Sequence, residues 1–373
     1  MKQQIMVDSH TEKGTHSKKS LWNWAHALPK IDLHRHLEGS LRLSTLAEIA
    51  TEHGIDLPSY DIEKLRPYVQ FTDEQPDFHR FLEKFKLLRR FYTSKEAVQR
   101  ITREAVLDAA NDNIRYLELR FNPIALARAQ NFPLADVVEW EIEAIEQVQA
   151  ETKTRTCLIL QIGRDESVES AEEIVDLAIA YHGPLVRGID LAGYEVAYPA
   201  ARFRKPFARA RAANLHITVH AGEAAGPESV RAAVEILGAQ RIGHGIRAIE
   251  NSDVIKLLYE RKITLEVCPT SNFQTGAVPR LTLHPILDLF RLRLRVTINT
   301  DDPSVSDTTL SDEYAVSIND VGLQKRDIYR SLRNAVEAAF IPEEERPQLR
   351  ERLRQELAAY SESLTEFDRE FPS

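Results

Sequence analysis

Short apolar runs rich in β-branched residues recur along the chain, and longer amphipathic stretches separate them. The runs are KIDLHRH (30–36), IRYLELR (114–120), TCLILQIG (156–163), RGIDLAG (187–193), HITVHAG (216–222), RIGHG (241–245), ITLEVCP (263–269) and RVTINTDD (295–302). They are near-continuously apolar rather than alternating, the pattern of parallel strands covered by helices. Between them, segments such as SAEEIVDLAIAYHG and PESVRAAVEILGAQ carry apolar residues at helical spacing. Eight strand-plus-helix units predict an α/β fold of the (β/α)₈ TIM-barrel type rather than a doubly wound sheet. No GxGxxG loop follows the first strand, which argues against a dinucleotide-binding fold.

One spacing is irregular. About 77 residues separate the first two strands, and PDFHRFLEKFKLLRRFY and KEAVQRITREAVLDAANDN within that stretch are helical by periodicity. Residues 41–113 are therefore expected to form a helical insertion over or beside the barrel mouth, and residues 303–373 to add C-terminal helices. No linker-like stretch or internal repeat interrupts the chain, so residues 21–373 read as one barrel domain behind a mobile tail, residues 1–20.

Composition narrows the function classes. With 373 residues, 43% apolar and 28% charged, the chain has the profile of a soluble globular protein. No run approaches the roughly 18 apolar residues of a membrane span, and the first 20 residues lack the apolar core of a secretory signal. Two cysteines far apart, Cys157 and Cys268, make no disulfide framework and fit a reduced, cytoplasmic setting as buried packing residues. The net charge is −9, and the most basic stretch, RFRKPFARARAA (202–213), reads as a solvated helix face. Neither nucleic acid nor membrane is expected as a partner, and no oligomeric state follows.

Candidate chemistry collects at strand ends, where a barrel of this type places its working residues. His34 and His36 stand two apart on the first strand and so point to one face. His220 and Glu223 follow the fifth strand, His244 the sixth, Asp301 and Asp302 the eighth. Three imidazoles and a carboxylate (His34, His36, His220, Asp301) suit one Zn²⁺ with a position left for water, whose pKa falls towards about 7. Glu223 suits a proton shuttle, and His244 could orient the attacking water or accept its proton.

IDLHRHLEGS, DLAG, HITVHAGEAAGPESV, RIGHG, CPTSN and INTDDP together resemble the motifs of adenosine deaminases, a branch of the amidohydrolase superfamily, from about Leu28 to the C-terminal helices. The resemblance implies one Zn²⁺ held by the four ligands above. It further implies a catalytic Glu223 that protonates purine N1 and a catalytic His244 that assists attack at C6. Asp302 would meet N7, the Gly193 backbone N3, and His36 and the residue at position 38 the substrate's sugar side. The expected activity is hydrolytic deamination of a 6-aminopurine nucleoside, adenosine or 2′-deoxyadenosine, to the 6-oxopurine and ammonia. Cytidine-type zinc deaminases draw ligands from HxE and PCxxC; here Cys268 precedes Pro269 and no second cysteine follows, so that pattern is not met.

Two positions depart from the pattern. Adenosine deaminases carry Asp, which reaches the 5′-hydroxyl, where this chain has Glu38; Glu resembles adenine and aminodeoxyfutalosine deaminases. Tyr194 stands in DLAGYE where DLAGDE is usual. Adenine or a 5′-modified nucleoside is therefore the alternative substrate. Two other readings stand beside these. A two-metal hydrolase would need a bridging lysine or glutamate after the fourth strand, where Glu195 lies one residue too far. A non-catalytic nucleoside-binding barrel would be expected to lack a ligand or Glu223.

Overall fold

The computed structural model describes residues 10–72 and 75–360, with side chains from Lys19 onward. Eight parallel strands follow one another round a barrel in sequence order. They are β1 (Lys30–His36), β2 (Ile114–Phe121), β3 (Arg155–Gly163), β4 (Val186–Ala192), β5 (His216–Ala221), β6 (Arg241–His244), β7 (Thr264–Val267) and β8 (Arg295–Ile298). All eight predicted runs are strands. The last three strands are short, and the motif residues His244, which ends β6, and Asp301, just past β8, leave extended geometry with φ of +61° and +63°.

Closure of the barrel falls at the site itself. The Asp301 amide donates to His34 O and the His36 amide to Asp301 O, each at 2.8 Å, so backbone just past β8 joins the end of β1. A left-handed Asp is uncommon and is held only where the surroundings over-determine it. Those two hydrogen bonds supply that constraint.

Five helices belong to the N-terminal part: α1 (His10–Ala27), α2 (Leu43–His53), α3 (Ile62–Val69), α4 (Phe78–Leu88) and α5 (Lys95–Asn111). Helix α1 begins inside the segment read as a tail, so residues 10–20 are helical; residues 1–9 lie outside the described residues. Trp22 Nε1 ties α1 to Asp312 Oδ1 at 2.8 Å, on the C-terminal helix Leu310–Asn319.

Helices α2–α5 form the predicted insertion. The α4 helix starts at Asp77, whose carboxylate caps the Arg80 amide at 2.9 Å. Its Phe78, Phe81, Leu82 and Phe85 fall at i, i+3, i+4 and i+7, one helical face, and all four line the cavity at the barrel mouth. The C-terminal helices Lys325–Ala338 and Arg346–Leu357 are also present, and residues 361–373 lie outside the described residues. No helix among the described residues is long and apolar enough to cross a membrane. Cys157 and Cys268 are buried and unpaired.

Candidate active site

At the carboxyl ends of the strands the predicted ligands converge. His34 Nε2 and His36 Nε2 each lie 3.2 Å from Asp301 Oδ1, and His36 Nε2 lies 3.2 Å from His220 Nε2. A tetrahedral Zn²⁺ with ligands at about 2.0–2.1 Å needs its ligand atoms about 3.3–3.4 Å apart. The donor set therefore has the dimensions as well as the chemistry of a zinc site. The His34 Nε2 atom is buried and makes no aligned hydrogen bond, although buried polar atoms are nearly always paired. A cation among these four groups resolves that orphan. Asp301 also belongs to two overlapping clusters of ligand atoms within 4.8 Å of one another, one with His34, His220 and His244, the other with His36 and Asp302.

Beneath the cluster the barrel interior is charged, not apolar. Glu266 on β7 accepts from His34 Nδ1 at 2.7 Å, and Asp190 on β4 accepts from His220 Nδ1 at 3.0 Å. Each carboxylate thereby turns the other ring nitrogen, Nε2, toward the shared centre. Arg120 on β2 joins the two, donating to Asp190 Oδ2 and Glu266 Oε2 at 3.0 Å each. Arg241 bridges Glu266 and Glu118. Burial alone would raise the Glu266 carboxyl, but Arg241 and Arg120 overcome it and hold it well below the usual carboxylate range. Burial lowers His220 to about 3, so this imidazole is neutral and has a lone pair to give.

Gly243, the first residue of GHG, makes room for this packing. A Cβ there would meet His34 Cε1 at 2.9 Å and the His220 ring at 3.2 Å. Gly243→Ala is expected to displace both imidazoles and to cost metal affinity about tenfold or more, the scale of losing their orienting shell. Competition with a chelator measures it; wild-type affinity in the variant would remove Gly243 from the account.

Beside His244 sits the candidate acid, Glu223. Glu223 Oε1 accepts from Asn272 Nδ2 at 3.1 Å and Thr275 Oγ1 at 3.0 Å. Burial, reinforced by the nearby Asp301 charge, pushes the Glu223 carboxyl up to about 8. His244 Nε2 lies 3.4 Å from Glu223 Oε2 and 3.9 Å from Asp301 Oδ2.

A chain of hydrogen bonds assigns the His244 proton. The Ile286 amide, which can only donate, bonds His284 Nδ1 at 3.1 Å. His284 Nε2 then donates to Asn272 Oδ1 at 3.2 Å, and Asn272 Nδ2 is left to donate to His244 Nδ1 at 3.0 Å. Neutral His244 therefore carries its proton on Nε2 and presents a donor to the cavity.

The cavity has a volume of about 90 Å³ open to the centres of water-sized molecules. Glu38 Oε1 accepts the Asn122 amide at the end of β2 at 3.2 Å, while Oε2 is buried without a partner. The longer side chain is thus anchored sideways and still offers one acceptor. Asp302 lies at the wall with Oδ1 unpaired, and burial with the Asp301 charge raises its carboxyl well above the usual range. Gly39 leaves space for it, since a Cβ there would fall on the Asp302 carboxyl. Gly193 lines the cavity with φ of +106°, a conformation that favours glycine.

Tyr194 packs against His79 and Phe78 of α4, with centroids 4.7 and 6.1 Å away, on the insertion side. Glu195 accepts from the amides of Gly222, Ala224 and Ala225 at 2.6–3.0 Å and so shapes the loop that carries Glu223. Asp190, Glu266, Arg120, Asn272 and His284 are absent from the sequence reading. Two of them stand inside the motifs, Asp190 in DLAG and Asn272 in CPTSN.

A barrel with a metal-ligand cluster and a raised carboxyl at its carboxyl mouth defines the class: a hydrolase built on the amidohydrolase plan. Residues 29–356 match the adenosine deaminase family, and the chain belongs to it. It is 39% identical over 326 residues to an adenosine deaminase of Yersinia pseudotuberculosis, covering 87% of this chain and 97% of that one. An adenine deaminase from Arthrobacter aurescens superimposes with a TM-score of 0.82 at 29% identity, covering 90% of this chain and 99% of the other. A zinc-bound amidohydrolase from a Burkholderia ambifaria source gives 0.83 at 26%, covering 92% and 94%. This chain is a hydrolytic deaminase.

Proposed function

We propose that the protein deaminates adenosine, with 2′-deoxyadenosine as a second substrate, using one Zn²⁺ per chain held by His34, His36, His220 and Asp301. The observation that supports it best is cyclic order. Round the mouth stand Asp302 after β8, Glu38 after β1, Gly193 after β4, Glu223 after β5 and His244 on β6. Round a purine run N7, N9 with its sugar, N3, N1 and C6. The two sequences match when Asp302 faces N7, Glu38 the sugar, the Gly193 backbone N3, Glu223 N1, and His244 the attacked C6.

Each contact suits its atom. N7 has a lone pair and needs a donor, and burial with the Asp301 charge shifts Asp302 toward the protonated, donating form. N1 must gain a proton for C6 to become electrophilic, and Glu223 carries one at neutral pH. The bound ion lowers the pKa of water into the neutral range. His244 holds the attacking oxygen by Nε2–H donation, which favours the orienting role over that of a base. Its donor also makes it a poor ligand, which leaves the fourth position to His36. The C6–N bond then breaks, and water plus the 6-aminopurine gives the 6-oxopurine and ammonia. Glu195 is engaged by backbone amides and has no share in a second metal.

Glu38 argues for a nucleoside. Free adenine would leave its buried Oε2 unpaired, and a 5′-phosphate would meet a carboxylate. The buried, unpaired cysteines fit a cytoplasmic setting. An ultraviolet assay with adenosine, 2′-deoxyadenosine, adenine and AMP tests this: adenosine is expected to be fastest. Faster adenine or AMP would overturn the substrate, and no turnover by zinc-loaded protein the reaction.

The pH profile follows from Glu223. The acid form is the active one, so kcat/KM is expected to hold near neutrality and fall as pH rises through about 8. Activity that rises across that interval would exclude Glu223 as the proton donor.

A further inference from the structure

We propose that Gln161 is a specificity-determining residue that hydrogen-bonds the 2′-hydroxyl of the substrate's ribose; the assignment rests on the nucleoside reading above. Gln161 stands at the carboxyl end of β3, in register with Asp190 of β4, whose side chain points into the barrel. It is 6% exposed and lines the cavity, yet its Oε1 is buried without a partner and the side chain makes no hydrogen bond. A buried acceptor without a partner is costly unless a ligand completes it.

The cyclic order says which part of the ligand does so. With N7 at β8 and N3 at β4, N9 and its sugar occupy the sector of β1, β2 and β3. Besides His36, a candidate metal ligand, Glu38 and Gln161 are the polar side chains that the strand ends of this sector bring to the cavity, and Arg89 joins them from the insertion. In an anti nucleoside the 5′-carbon lies over the C8 side and the 2′-carbon toward N3. Glu38, next to the N7 side, then takes the 5′ end. Gln161, one strand from Gly193, takes the 2′-hydroxyl, to which its amide can both donate and offer an acceptor.

The wild-type zinc enzyme and Gln161→Leu are compared on adenosine, 2′-deoxyadenosine and 3′-deoxyadenosine by kcat/KM. Wild type is expected to favour adenosine over the 2′-deoxy compound about tenfold, because the latter leaves the amide unpaired. In Gln161→Leu the adenosine value is expected to fall by about that factor while the 2′-deoxyadenosine value holds, so that the ratio approaches one. A purely structural role would lower all three substrates together and overturns the proposal. Equal wild-type rates on adenosine and 2′-deoxyadenosine overturn it without any variant. A preference that follows the 3′-deoxy compound instead overturns the choice of hydroxyl. Absence of all nucleoside turnover by wild type, with adenine or AMP accepted, brings down the nucleoside reading and this assignment with it.

Discussion

Glu223→Gln is expected to lower kcat by about 10²–10⁴-fold, the range a positioned acid contributes, while KM and zinc content stay near wild type. The reason lies in how the carboxyl is held. Its Oε1 accepts two hydrogen bonds, from Asn272 and Thr275, so the proton that burial retains belongs on Oε2, on the side of His244. Glutamine reproduces the shape, keeps the two acceptor contacts and presents an N–H to N1. It binds the ground state but cannot hand over its proton, which is the signature of an interaction made only in the transition state. Metal analysis of the same preparation separates this from loss of the site. Retention of activity to within tenfold, with zinc in place, would sink the role assigned to Glu223.

How much of this could be read in the chain depends on where each residue sits. The eight strands were legible because their apolar runs are short and bounded, and two of the four candidate ligands because HxH on an extended backbone forces two imidazoles to one side. The order HxH, HAGE, GHG, TDD then placed the rest at one rim. Arg120 and Glu266 were not legible, and Asp190, although it opens DLAG, gave no sign of its task. In sequence they are single charges inside IRYLELR, GIDLA and TLEVC, indistinguishable from residues facing solvent, and only closure of the barrel brings the three together across β2, β4 and β7. Gln161 was hidden in the same way. What identifies it is a missing partner, and a missing partner has no sequence signal. Tyr194 shows the converse: its bulk stood out beside the DLAG motif, yet it packs on α4.

The largest effect on the metal is expected from Asp301→Asn, because Asp301 performs two tasks that this substitution separates. Its backbone closes the barrel in a left-handed conformation, bonded to His34 and His36. Asparagine tolerates that conformation as well as aspartate does, and the closing bonds are made by main-chain atoms. Its side chain is the sole anion among three imidazoles. Burial would push that carboxyl up, but the neighbouring imidazoles of His34 and His36 hold it well below its ordinary range, so it is charged when the ion arrives. An amide of the same size removes the charge. Zinc affinity should therefore fall by more than the roughly 10–100-fold that loss of an outer-shell partner costs, while the metal-free variant melts near metal-free wild type. Asp301→Ala adds a backbone cost of about 1–3 kcal/mol, since alanine is strained at this φ, so its metal-free form should melt below that of Asp301→Asn. Chelator competition and thermal midpoints of the stripped proteins measure the two effects independently. Stoichiometric zinc in Asp301→Asn under wild-type chelator concentrations would show that the carboxylate does not ligate. Equal midpoints for the two stripped variants would show that the left-handed turn is held without strain.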